Sequence, residues 1–549
     1  MPHTRPLKVF AFDPSLGRQL GNVMTVSVDN EELLPGPRGR LLEVVDYDAS
    51  NDCYYAPVDL NDREVLLQGG LTPSENDPRF HQQMVYAVAS TTIQHFQFAL
   101  GRKVRWSRRR KGSTRDRGRA LRIFPHAMQE ANAYYDPRPH ALLFGYFAAS
   151  EQDAGTSLPG QTVYTCLSHD IVALFQHFTF KDALLDHIQR TGGLLYRDPV
   201  PVVAPHGSAL IGAEEPGKNV LVGLARQFGE AMGMRAALRG ALGTPRDPQA
   251  LGRLFEPHQR GSILVAAVFD AFFSAYSRRL ADLLRIARAG GASPGVELGR
   301  ELADRLAREA CKTAAHFLTM CIRALDYCPP VDITFGDFLR ALITADCDIV
   351  ADDDRGYRQD LVDAFRARGI RPGEALSYSE EALRWDAPTR AGGSPIRCDG
   401  LRFDVMHETS EADQQANARV LVAFGERHRG AFHLKEGHKI QASSFHPVCR
   451  VGPDGQLKFQ VVAELLQQEE VPVSADRPSP TFVHRGGVTL VLNGEDGSVR
   501  YGVYKRLASK GRLEAQRAFW DRWRAAHAAP YADETRPLRA DLSMVHRGF

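Results

Sequence analysis

Metal-assisted hydrolysis rests on side chains that converge on one ion, and histidine supplies most of them. A zinc hydrolase needs three protein ligands, one open coordination position and a general base. On a helix, two histidines point at the same ion when they stand at i and i+4. The 549-residue chain carries 19 histidines, and none has another four residues away. His169 and His177 lie eight apart, able to share a helix face but too far apart to chelate one ion. His407-Glu408-Thr409-Ser410-Glu411 comes nearest to a zinc-binding string, yet it ends in glutamate and reads as a helix start with Ser410 as the cap. His428, His433, His438 and His446 form a loose stretch whose spacing fits no closed metal site.

Other hydrolytic and nucleotide chemistries find no better footing. The G-x-S-x-G string Gly291-Ala292-Ser293-Pro294-Gly295 follows a helical stretch, not the strand that leads into a nucleophile elbow, so it does not mark a serine nucleophile. A P-loop is absent. Gly290-Gly291-Ala292-Ser293-Pro294-Gly295 follows a helical stretch rather than a strand, so it is expected to be a turn. The 8 cysteines form no C-x-x-C pair and are too few for a disulfide scaffold. Cys311, Cys321 and Cys328 sit in helical or near-helical sequence and are expected to be small buried thiols.

The bulk composition bounds the partners. An apolar share of 43%, a charged share of 24% and a net charge of +2 are those of an ordinary globular protein and point to neither nucleic acid nor membrane. One local exception is the basic run Arg102, Lys103, Arg105, Arg108, Arg109, Arg110, Lys111, Arg115, Arg117 and Arg119. With Gly112, Ser113 and Gly118 inside it, the run reads as a solvated loop, with an anion-binding patch as the alternative. Met1 to Leu20 holds no continuous apolar stretch of the secretory kind. The longest apolar run, Ile263 to Phe273, is broken by Asp270 and too short to span a bilayer. A reducing, cytoplasmic location is the expectation.

The elements that must position any site follow from periodicity. Val9 to Phe12, Met24 to Val28 and Leu41 to Val45 are short β-type runs separated by turn residues. Pro78 to Leu100 changes to helical spacing, and Arg119 to Phe147 returns to strands and turns. From Thr162 to about Arg371 the pattern is mostly helical, with helices expected over Ser168 to Phe178, Lys181 to Arg190, Val220 to Leu242, Ser262 to Ala287, Gly295 to Asp326, Phe335 to Ala345 and Tyr357 to Arg368. Pro329-Pro330 stops the fifth of these. Residues 372–400, rich in Ser, Gly and Pro, read as a linker, and Glu411 to Arg427 as a further helix. Lys458 to Ala463, Val488 to Leu492 and Val499 to Tyr504 alternate as strands. Asn493-Gly494 and Asp496-Gly497 mark a hairpin between the last two.

Three stretches resemble the thermolysin-like zinc metallopeptidases. Ala131-Asn132-Ala133-Tyr134-Tyr135-Asp136, followed by His140 to Tyr146, is similar to the edge strand on which those enzymes lay the substrate backbone; the resemblance makes Asn132 and Ala133 substrate-contacting positions. Glu256-Pro257-His258-Gln259-Arg260-Gly261-Ser262-Ile263 resembles the segment whose histidine donates to the tetrahedral oxyanion, which makes His258 the stabilising residue. Ser168-His169-Asp170-Ile171-Val172-Ala173 resembles the lead-in to the two-histidine zinc motif in a bacterial branch of the family. Here Ala173 runs directly into Leu174-Phe175-Gln176-His177-Phe178, which resembles the sequence after the glutamate ligand. One Asp-Ile-Val-Ala stands where that branch has two, as though the chain had collapsed between the copies.

The resemblance covers roughly residues 80–370, including Cys321 to Asp337. It implies a metalloendopeptidase homologue whose zinc, the cofactor of intact members, has no ligands here: no cofactor and no metal residues are expected, and no cleavage. Peptide binding in the remnant cleft, or anion binding through the Arg102–Arg119 run, are the alternatives; a peptide or protein is the partner class, with nucleic acid disfavoured and no membrane. The expected architecture is α+β. It comprises an N-terminal β-rich segment (1–75), a truncated N-terminal peptidase lobe (76–200), a helical C-terminal lobe (201–371), a linker and helix (372–432) and a β-rich domain (433–549). Loss of the zinc-site helices implies repacking around one helix at Ser168 to Phe178, at lower stability than an intact relative.

Overall fold

A computed structural model describes residues 3–10, 23–104, 106, 120–129, 133–136, 139–146, 245–254, 257–289, 300–389, 393–404, 409–452, 455–474 and 480–526. The expected helices at Ser168 to Phe178, Lys181 to Arg190 and Val220 to Leu242, the turn at Gly290 to Gly295, the repacking around Ser168 to Phe178 and most of the basic run lie outside the described residues. What is described is a mixed α+β protein.

At the N-terminal end, β1 (Thr4–Phe10) pairs antiparallel with β2 (Val23–Asp29). Strands β4 (Tyr47–Asp48) and β5 (Cys53–Tyr54) form a small antiparallel pair, and α1 (Arg63–Leu67) follows. A four-stranded sheet has the order β3 (Leu42–Val44), β6 (Leu121–Met128), β8 (Ala141–Gly145), β7 (Ala133–Asp136). Its first two pairings are parallel and the last is antiparallel.

Helix α2 (Pro78–Leu100) packs across these strands. Asp77 caps it by accepting from the Arg79 amide, and Pro78 occupies the first turn, where no amide donor is missed. Phe80, Met84, Val85 and Val88 bury against Leu7, Val9, Val28, Ile123 and Phe144. The helix ends at Gly101, whose φ of 68° is left-handed and whose added Cβ would lie 2.3 Å from the Cys449 carbonyl oxygen. Only glycine fits both demands.

The helical middle runs α3 (Ala250–Arg253), α4 (Pro257–Ala289), α5 (Arg300–Ala324), α6 (Phe335–Cys347) and α7 (Tyr357–Ala367). A 3-10 turn, Leu325–Tyr327, closes α5 ahead of Pro329 and Pro330. Helix α6 starts with a capping box in which Thr334 and Asp337 bond each other's backbone amides. Phe272, Tyr276, Phe317, Leu339, Leu342, Leu361 and Phe365 form the core between these helices. Cys311 and Cys328 are buried and Cys321 partly so, and the described cysteines are free thiols.

The C-terminal sheet is a meander of order β12 (Val499–Lys505), β11 (Thr481–Asn493), β10 (Leu457–Pro472), β9 (Gln441–Val451), antiparallel throughout. The hairpin between β11 and β12 turns at Asn493 to Gly497, as the turn residues imply, with Gly497 at φ 67°. Helix α9 (Glu411–Arg427) covers the sheet, and Ser410 caps it by accepting from the Asp413 amide.

Two expectations need correction. Residues 372–400 are not a free linker: Leu383 and Ile396 are fully buried, Trp385 and Cys398 nearly so, and Glu380–Leu383 forms a short helix, α8. These isolated apolar anchors outweigh the Ser, Gly and Pro around them. Arg102, assigned to a solvated loop, instead makes a bidentate pair with the buried Asp326, at 2.6 and 2.7 Å. Strand β9 and a last helix, α10 (Lys510–Ala526), carried no recognised pattern.

Candidate functional site

Strand β7 is the edge of its sheet. Ala133 faces Phe144, Tyr135 faces Leu142 and Asp136 faces Ala141, all on β8. No other strand pairs with β7 among the described residues. In an antiparallel pair, alternate residues turn their N–H and C=O away from the partner. An open edge of this kind can take an added strand.

A small aromatic corner flanks the edge. Tyr135 Oη lies 2.8 Å from His140 Nδ1, and the His140 ring packs edge-on against Trp106 at 5.5 Å. Trp106 is anchored in turn by its indole N–H on the Leu41 carbonyl. His140 holds φ at 54°, a left-handed conformation unusual for a side-chain-bearing residue. Burial, then the nearby Arg122 charge, pushes its pKa down, so the ring favours the neutral form.

Behind the sheet lies a buried chain of ionisable groups. Asp46 Oδ1 is 2.7 Å from His126 Nδ1, and His126 Nε2 is 3.0 Å from His81 Nδ1. His81 Nε2 meets the Glu75 carbonyl at 3.1 Å. Local structure sets up the line. His81 is in the first turn of α2, Asp46 lies between β3 and β4, and the β6 register against β8 shifts between Phe124 and Met128, around His126.

Proton positions follow from the partners. Burial, and next the neighbouring His126, drive the His81 pKa down to about 3, so this ring is neutral. Its one proton must sit on Nε2 to donate to the Glu75 carbonyl, which leaves Nδ1 as an acceptor. His126 therefore donates from Nε2, and its Nδ1 stands within hydrogen-bond reach of Asp46. Asp46 also accepts from Gln82 Nε2 at 2.9 Å. All four ring nitrogens are engaged by protein atoms, so the chain is a closed polar brace rather than a base aimed at a substrate.

Next to it Asp48 accepts from the Ser50 and Asn51 amides, Asn51 Nδ2 and Tyr146 Oη. Burial would raise its pKa, but these hydrogen bonds outweigh it and hold the carboxyl low.

The residues with expected roles are distributed as follows. Ala133 opens the edge strand β7. His258 is the second residue of α4. Asn132 and the Ala173–Leu174 junction lie outside the described residues. Among the described residues no three His, Cys, Asp or Glu side chains are grouped to hold a metal ion. The histidine-rich stretch is used otherwise: His438 bonds Glu469 at 3.0 Å, and His433 packs edge-on against Tyr504. The Asp46–His126–His81 chain went unrecognised because its members are 35 and 45 residues apart with no shared motif; the one local signal was His81 in the first turn after Pro78.

Comparison of the chain with protein-family models, with curated proteins and with solved structures found no match in any of the three. No helix among the described residues is long and apolar enough to cross a membrane.

Proposed function

We propose that this chain is a homologue of the thermolysin-like metallopeptidases that has no hydrolytic zinc centre and does not cleave peptides. The carrying observation is the junction at Ala173–Leu174, where the resembling sequence passes from one side of the zinc motif to the other. Nowhere does the sequence offer a histidine pair at i and i+4 in its place. Water bound to zinc has its pKa lowered to about 7, which makes hydroxide available at neutral pH. A remnant oxyanion donor at His258 could polarise a carbonyl but generates no nucleophile. Metal analysis of protein purified from zinc-supplemented cells tests this: far less than one zinc per chain is expected, and stoichiometric zinc overturns it.

The β7 edge, unpaired by any further strand among the described residues, favours a second reading, that the same cleft holds peptides without cutting them. Ala133 stands at the start of that edge, with Tyr135 and His140 beside it. An extended peptide would be bound chiefly through its backbone, with low sequence selectivity. Fluorescence anisotropy with a labelled extended peptide tests this. Ala133→Pro should abolish binding while leaving the thermal unfolding profile intact; wild-type protein that binds no such peptide counts against it.

A further inference from the structure

We propose that Lys312, His316 and Arg323 of α5, together with Arg355 ahead of α7, form a binding site for a phosphate group. The three α5 residues follow one another at spacings of four and seven. At 3.6 residues per turn these spacings set them on one stripe of the helix. The stripe borders the face that buries Phe317 and Met320 in the helical core, so its side chains are drawn partly out of water.

A second segment closes on the stripe. The His316 ring packs on that of Tyr357 at 4.9 Å, and Tyr357 Oη accepts from Arg279 of α4 at 3.0 Å. Arg355 stands two residues ahead of Tyr357, held there by its carbonyl, which accepts from Arg278 at 2.6 Å.

The carboxylates around the site are committed elsewhere. Glu309 is taken by Arg279, Asp346 by Arg358, Asp360 by Arg278, and Asp348 by Arg500 and Lys458. Asp353 accepts from the Tyr357, Arg358 and Gln359 amides at the start of α7. Asp352 and Asp354 are exposed on the loop. Lys312, Arg323 and Arg355 form no ion pair among the described residues. Arg323 is half-buried, yet its one hydrogen bond there is a long one from Nε to the Ala99 carbonyl, at 3.4 Å.

Cations gathered without a counter-charge repel one another, and a desolvated guanidinium without a partner is costly. The crowding registers on His316, whose pKa is lowered by desolvation and then by the Arg355, Arg323, Arg279 and Lys312 charges. A bound dianion relieves all of this at once. Guanidinium forks match the oxygens of a phosphate group, and a lysine ammonium adds a point charge to it. The ligand class is therefore free phosphate or a phosphate ester.

Titration of the full chain with inorganic phosphate tests the site, with sodium chloride holding ionic strength constant. The His316 ring resonances should shift to saturation, and the melting temperature should rise with phosphate. Lys312 and Arg355 are exposed, so their replacement leaves the fold in place. Lys312→Gln and Arg355→Gln should each weaken binding by about tenfold. Arg285→Gln, which removes a pair with Asp282 elsewhere on α4, should bind as the wild type does. Glycerol phosphate as competitor separates the two sources: displacement at lower concentration assigns the site to esters, and no displacement assigns it to free phosphate. A response that chloride alone reproduces overturns the proposal. So does binding that is as tight in Lys312→Gln and Arg355→Gln as in the wild type.

Discussion

The Arg450 guanidinium on β9 meets the Asp326 carboxylate at 2.5 Å across 124 residues of chain, and both side chains are buried. Asp326 lies in the 3-10 turn that closes α5, so this contact ties the C-terminal sheet to the helical middle. The pair does not stand alone. Arg450 also donates to Tyr327 Oη at 2.8 Å and Gln460 Oε1 at 2.7 Å, and Tyr327 donates on to Asp348 at 2.6 Å. Arg500 and Lys458 pair with Asp348 at 2.6 and 3.2 Å.

Breaking a buried pair from one side is more costly than never having built it, because the other charge stays uncompensated. Arg450→Met leaves Asp326 its bidentate pair with Arg102 but removes the buried donor to Tyr327 and Gln460, so it should lose about 1–3 kcal/mol, read as a lowered urea midpoint. A loss below about 1 kcal/mol, the range of exposed pairs, would show that the network is not what joins the two regions.

Acid should loosen the same junction. Burial alone would raise Asp326, but the Arg102 hydrogen bond and the Arg450 and Arg102 charges outweigh it and lower its pKa. Asp348 is lowered likewise, with Arg500 the leading opposing cause after burial. Carboxylates held low stabilise the fold fully above their ordinary value, about 3.9, and that stability is lost as pH falls through the lowered values. A melting temperature that stays flat as pH drops from about 4 to 2 would contradict this.

The brace in the N-terminal part predicts a separate, milder acid sensitivity. A histidine kept neutral gives its full stability above its ordinary value of about 6.5, and loses it as pH falls toward about 3. Between these limits stability should decline by up to about 1.4 kcal/mol per pH unit. The His81 ring should remain neutral at pH ~5 by NMR; a charged ring there would refute the assignment.

Gly101→Ala tests the contact between α2 and β9. The substitution forces a side chain into the left-handed region and against the Cys449 carbonyl. It should cost more than about 1 kcal/mol, measured by chemical denaturation, whereas Gly430→Ala, where nothing lies within 4 Å, should be near neutral.

Tyr276 offers the opposite sign. Its hydroxyl is buried in the helical core and has no partner among the described residues. An unsatisfied buried hydroxyl costs about 1–3 kcal/mol, so Tyr276→Phe should leave the melting temperature unchanged or raise it.

Periodicity made most of the fold legible. Pro78 to Leu100 is a helix to the residue, because Asp77, Pro78 and Gly101 punctuate a regular apolar stripe. Ser410 capped its helix and Asn493 to Gly497 turned its hairpin for equally local reasons. Strand β9 was opaque because Gln441 to Val451 lies at a sheet edge, half-buried along most of its length, with Pro447 in its middle. Helix α10 was missed because it is rich in charge and docks through Gln516, Arg512 and the ring of Trp520 on Phe482 rather than through a continuous apolar stripe. The buried polar chains were beyond reach: Asp46 with His126, and Asp326 with Arg450, are joined by topology and not by spacing.

We propose that no hydrolytic metal centre operates in this chain. Incubating purified protein with casein and added zinc, with and without a chelator, tests it most directly. The account predicts no cleavage above buffer in either arm; cleavage that the chelator abolishes would contradict it.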